Sequence, residues 1–119
     1  MAEVFKLKSS ALSIRVRNES TKKWSDWSSW EPKNVLIIVN TDKERIKIFS
    51  AKQQVYDIVT KFSEKYDEDG DLIIKWKYVN EDGLICDVRC VRLYSQNDKL
   101  HLYVDFDDIM WVYEVYPLD

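Results

Sequence analysis

Glycine and proline are nearly missing from this chain, at two each in 119 residues. Their scarcity excludes Gly/Ser linkers, Pro-rich spacers and collagen-like repeats. No internal boundary is visible, so residues 1–119 are expected to form a single domain, which their number suits. Histidine occurs once, at His101. No His-His ligand pair, Cys-His arrangement, nucleophile elbow or Gly-rich phosphate loop exists, so a non-enzymatic protein without a cofactor is expected. Long hydrophobic runs are also lacking. The longest, Val35 to Val39, falls far short of the roughly 18 residues of a membrane span. Residues 1–8 lack the apolar core of a secretory leader. A soluble, cytoplasmic protein with no membrane partner is the expectation.

Cysteine is scarce too. Cys86 and Cys90 lie four residues apart in what reads as one strand. Their Cα atoms would then be about 13 Å apart, at about 3.3 Å per residue. A disulfide needs less than about 7 Å. Both read as small buried apolar side chains.

What is abundant is period-2 alternation. Leu12, Ile14 and Val16 alternate with Ser13, Arg15 and Arg17. Asn18 to Lys22 is polar and predicts a turn, Lys23 to Trp30 a further strand, and Val35 to Val39 a continuous apolar one. Both glycines sit in Asp-Gly pairs, Asp69-Gly70 and Asp82-Gly83, a hairpin signal because the turn needs positive φ. Between them, Leu72, Ile74, Trp76 and Tyr78 share one face. Leu84, Cys86, Val88 and Cys90, then Leu100, Leu102, Val104 and Phe106, repeat the pattern, with His101 and Tyr103 pointing out.

Residues 51–66 are ambiguous. Val55, Ile58, Val59, Phe62 and Tyr66 fall at helical spacing, but the β-branched and aromatic content favours a strand. Short loops allow only antiparallel neighbours. Eight to ten short strands predict an all-β, single antiparallel meander closed into a small barrel, similar in architecture to lipocalins or fatty-acid-binding proteins. A β-sandwich, or a barrel with one helix at 51–66, remains the alternative.

The least ordinary stretch is Trp24-Ser-Asp-Trp27-Ser-Ser-Trp30. Its first five residues resemble the Trp-Ser-any-Trp-Ser motif of class I cytokine receptors, and Arg15-Val16-Arg17 resembles their arginine-bearing strand. The resemblance implies tryptophan and arginine side chains that stack alternately, as residues spaced by three share a face in a polyproline-like stretch. It covers five to nine residues and does not reach the surrounding fibronectin type III domain. Thrombospondin type 1 repeats share the tryptophan spacing but need several more cysteines. As a plain strand, the stretch would send Trp24 and Trp30 to one side and Trp27 to the other. The indoles are then either core plugs or an aromatic surface for a partner.

Two acidic clusters stand out, Asp67 to Asp71 and Asp105 to Asp108. The first fails the EF-hand pattern and reads as a solvated hairpin tip. The second reads as a polar strand end, with a weak shared cation site as the alternative. Charge is split along the chain. Residues 1–61 hold 12 basic and 7 acidic side chains, residues 62–119 hold 6 and 14. Either cross-strand pairs join the two halves, or two faces of opposite sign favour a charged partner or weak self-association. The acidic total, with a pI near 5.2, weighs against single-stranded nucleic acid.

The functional expectation is a binding module whose partner, a protein, meets Trp24, Trp27, Trp30, Arg15 and Arg17. The alternative is a carrier that holds a small apolar ligand inside the barrel against Trp76, Tyr78 and Trp111.

Overall fold

The computed structural model describes residues 4–40, 43–62 and 64–118. It contains ten strands. They are β1 (Val4–Val16), β2 (Glu31–Pro32), β3 (Leu36–Asn40), β4 (Arg45–Phe49), β5 (Gln54–Lys61), β6 (Lys65–Tyr66), β7 (Leu72–Asn80), β8 (Ile85–Leu93), β9 (Lys99–Asp105) and β10 (Ile109–Pro117). Eight of them form a closed antiparallel meander in the order β1-β3-β4-β5-β7-β8-β9-β10, with β10 returning to β1. The two extra strands are short: β2 pairs with β1, and β6 with β7. The expected closed barrel is therefore realised, and the β-sandwich alternative is not. Residues 51–66 hold two strands, and among the described residues there is no α-helix.

Closure depends on β1, the longest strand. Its first half pairs with β3 from Val4 to Lys8, and most of its length pairs with β10 from Leu7 to Val16. A bulge between Ser9 and Ala11 shifts the register. Inward positions are odd before it (Leu7, Ser9) and even after it (Leu12, Ile14). Bulges increase twist and re-aim side chains, which lets one strand serve two neighbours that diverge. Ser9 fills the gap. It is fully buried, its hydroxyl donates to the Lys33 carbonyl, and it accepts from the Val35 N–H at 2.9 Å.

A second bulge lies in β5 between Ile58 and Thr60. The extra residue there, Val59, is exposed. It breaks the two-residue period, which is why this strand mimics helical spacing in the sequence.

The interior is filled by alternate residues of all eight strands. Ile37, Ile46, Ile48, Val88, Leu102 and Val104 are completely enclosed, with Tyr56, Tyr78 and Tyr113 packed among them. Cys86 and Cys90 are both free thiols of this core, as the strand spacing predicts. Both Asp-Gly turns are present, with Gly70 at φ 80° and Gly83 at φ 81°. In each, an acceptor two residues earlier, Asp67 or Asn80, takes two backbone N–H groups through its side chain. These are hairpin turns in which the glycine supplies the left-handed residue at no steric cost.

Charge pairing differs from expectation. The salt bridges among the described residues are Arg45–Asp57, Lys75–Asp87, Arg89–Asp105 and Lys99–Glu114. Each joins neighbours within the same half of the chain. Strand order explains this, because a meander pairs each strand with the next in sequence. Among the described residues, strand pairing joins the halves only at β1–β10 and β5–β7.

Candidate functional site

Past Val16 the chain turns back along β1. Asn18 organises the turn by accepting the N–H groups of Ser20 and Thr21 on its side chain, and Lys22 takes φ 61°. Trp24 then forms an isolated bridge to Arg17. Beyond it the segment does not run as a strand, which corrects the expectation for Lys23 to Trp30.

The hydrogen bonds define a different repeat. Ser25 donates its N–H to Val16, Ser28 donates to Ile14, each at 2.8 Å, and Glu31 pairs with Leu12. Three residues of the segment thus pass two residues of β1, so the segment winds. Serine hydroxyls complete the match. Ser25 Oγ accepts the Val16 N–H at 3.0 Å, and Ser28 Oγ accepts the Ile14 N–H at 2.9 Å. Ser13 Oγ donates to the Ser28 carbonyl at 2.6 Å. These side chains take β1 donors that a flanking strand's carbonyls would otherwise accept.

Winding places Trp24, Trp27 and Trp30 each one residue before an anchor point, all on the outer face. The expected split of the three indoles between two sides is therefore corrected. Arg15 lies between the first two, its guanidinium 5.1 Å from the Trp24 ring and 4.7 Å from Trp27. Arg17 lies 5.9 Å from Trp24. The alternating stack implied by the cytokine-receptor motif is present as local geometry. It lies on a closed barrel, not on a fibronectin type III sandwich. Exposed cation–π contacts contribute about 0.5–1 kcal/mol each.

The stack changes character where β1 presents Ser13, too short to continue it. Tyr103 of β9 takes over, edge-on to Trp27 at 5.9 Å, and His101 meets Trp30 at 5.4 Å. Tyr103 is in turn covered by Arg89 at 4.2 Å, which grips Asp105 with two nitrogens at 2.6 and 3.3 Å. Val112 and Val91 also face outward by register, as the cross-strand partners of Tyr103 and His101. They are only 3% and 7% exposed. An apolar strip on the barrel's outside thus lies beside the aromatic segment and is shielded. Trp24 is half-buried, while Trp27 and Trp30 keep 36% and 45% of their surface in solvent. The extended site includes His101 and Tyr103, which sequence reasoning placed outward without joining them to the tryptophans, and Arg89, the cross-strand partner of Tyr103. The available signal was the outward aromatic pair on β9.

Burial lowers the His101 pKa below its ordinary 6.5, and Glu114 opposes the shift. Burial raises the Tyr103 phenol, with Arg89 pulling it back. Past Trp24 the ladder opens on a groove of about 500 Å³, in which Arg15 and Arg17 face the ion pairs Lys75–Asp87 (3.4 Å) and Arg89–Asp105 (2.6 Å).

No family model, curated protein or solved structure matches this chain.

The residues of the carrier reading lie apart from the ladder. Tyr78 belongs to the buried core, and Trp76 and Trp111 pack against it. Burial pushes the Tyr78 phenol up to about 12. Trp111 also lines an open depression of about 600 Å³ at one barrel mouth, to which Trp76 and Tyr78 do not contribute.

The two acidic clusters do not meet. Asp67, Asp69 and Asp71 have carboxylate oxygens within 4.8 Å of one another. Their tip is not fully solvated as expected. Asp71 is buried and receives the Ser95 N–H and hydroxyl, while Asp67 holds the turn. Asp105 to Asp108 sit at the opposite end of the barrel, following the end of β9, with Asp105 paired to Arg89.

Proposed function

We propose that this chain is a non-enzymatic binding module that grips a protein partner through its outward tryptophan–arginine ladder. One observation carries the reading. Trp27 and Trp30 remain 36% and 45% exposed on the face that bears Arg15, while Ser25 and Ser28 do the anchoring. Fixed aromatic side chains lose little freedom on binding, and tryptophan and arginine are enriched where interfaces draw most of their energy. An apolar side chain of the partner would lie on Trp30, and a carboxylate would meet Arg17.

The carrier reading has less support, because the interior positions beside Trp76 and Tyr78 are occupied by the chain's own side chains. Eight-stranded barrels can fill themselves in this way. Single-stranded nucleic acid is disfavoured by the net charge of −3, since phosphate binding relies on positive charge.

The test is affinity capture from native cell extract on immobilised wild type, Trp30→Ala and Arg17→Ala. Trp30→Ala is expected to weaken the retained protein at least about tenfold, or about 1.4 kcal/mol, with its unfolding midpoint close to wild type. Undiminished retention by both variants would sink the proposal.

A further inference from the structure

A second site lies at the barrel mouth, where Phe106 separates it from the groove at the Trp24 end of the ladder. The β4–β5, β7–β8 and β9–β10 turns meet there around the depression of about 600 Å³, a volume within the roughly 300–1,000 Å³ of small-molecule sites. Its floor is aromatic. Phe106 stacks on Trp111 with centroids 5.5 Å apart and planes 30° from parallel, and Tyr56 tilts against Phe106 at 6.4 Å. Gln54, which also lines the depression, ties Tyr56 to its surroundings. Gln54 donates to Ser50 and to the Tyr113 hydroxyl, and accepts from the Tyr56 hydroxyl at 2.7 Å.

The rim is polar. Gln53, Asn80, Glu81, Asp82 and Lys52 line it. Asn80 holds the β7–β8 turn through its side-chain oxygen, which fixes Glu81 and Asp82 in place. Among the described residues, Lys52, Glu81 and Asp82 form no salt bridge with protein groups.

This combination selects a ligand class. A purely apolar ligand would cover the rim groups and strip their water without replacing it, at about 1–3 kcal/mol per group. An anion would meet two carboxylates against one ammonium. A neutral saccharide fits both parts. The C–H face of a pyranose lies on an aromatic plane, and its ring hydroxyls reach outward to amides and carboxylates. We propose that the barrel mouth binds a neutral mono- or disaccharide, stacked on the Trp111 ring that Phe106 backs and hydrogen-bonded by Gln53, Glu81 and Asp82. Binding here does not require a protein partner at the ladder.

Saturation-transfer NMR and calorimetry with cellobiose, maltose and N-acetylglucosamine test it, with adenosine monophosphate and decanoate as anionic and apolar comparisons. At least one sugar is expected to bind saturably. Asp82→Ala should weaken it about tenfold or more, and Trp111→Ala should abolish it. Lys6→Ala, on the first strand at the opposite end, should leave it unchanged. Trp111 also packs against the core, so Asp82→Ala, at an exposed turn, is the variant that decides the matter if Trp111→Ala fails to fold. No saturable binding of any of the three sugars overturns the proposal. So does a preference for decanoate or adenosine monophosphate, or sugar binding that Asp82→Ala leaves intact.

Discussion

At the scale of single residues, His101 is the most informative titratable group. It lies against Trp30 at one end of the ladder and against Tyr103 at 6.2 Å. Burial depresses its pKa below 6.5. As pH falls, the unfolded chain therefore takes up this proton before the folded one, and stability drops. The contribution of neutral His101 is complete above about pH 6.5 and is lost progressively as pH falls through the folded value. Thermal unfolding should show a wild-type midpoint that falls more between pH 7.5 and 5.5 than that of His101→Phe. Parallel curves would show that the imidazole does not titrate against the indole.

At the scale of elements, the decisive feature is how β1 is flanked on both sides. Ser9 joins the bulge to the start of β3 through two hydrogen bonds, one accepted from Val35 and one donated to Lys33. Replacing it with alanine leaves the buried Val35 N–H without its partner, while the carbonyl of exposed Lys33 can turn to water. Ser9→Ala should cost about 1–3 kcal/mol, the cost of one buried unsatisfied group. Urea denaturation measures this, and a loss under about 0.5 kcal/mol would show that water replaces the hydroxyl. The strands themselves were legible from alternation, because each buries one face and exposes the other. Lys23 to Trp30 was not, because its anchors are backbone groups and serine hydroxyls. Such contacts leave no hydrophobic period of two. The three-residue spacing of the tryptophans was the trace of the winding. Reading it required knowing that β1 had a free edge to wind along. Val59 hid β5 in a similar way, because one inserted residue moves every later side chain out of phase.

At the scale of the whole molecule, one closed core binds the two halves of the chain. Ile48 of β4 is fully enclosed within it. Ile48→Ala should cost about 2–5 kcal/mol. The native thiols provide a readout. Burial pushes Cys86 up to about 12 and Cys90 up to about 11, so both are protonated and shielded at pH 8. Thiolate is the reactive form, and a thiol reagent should therefore report opening of the barrel. If opening and closing are fast relative to labelling, Ile48→Ala should speed labelling by about 30-fold or more, as every 1.4 kcal/mol is tenfold in the open population. Fast labelling of the wild type would contradict the packed interior. Closure was foreseeable from short loops and strand number. The identity of the closing pair, β1 with β10, was not, because it depends on the bulge that lets β1 serve both neighbours.

The winding segment also bears on how copies of this molecule meet one another. A flat strand laid on the free half of β1 would have carried the problem outward. It would present its own row of unpaired N–H and C=O groups, a template for a neighbouring chain. A segment that turns once every three residues presents no such row. Its donors point inward to Val16 and Ile14, and its outer surface is indole and guanidinium. Sheet growth stops along this half of β1, at the edge that the tryptophan segment covers.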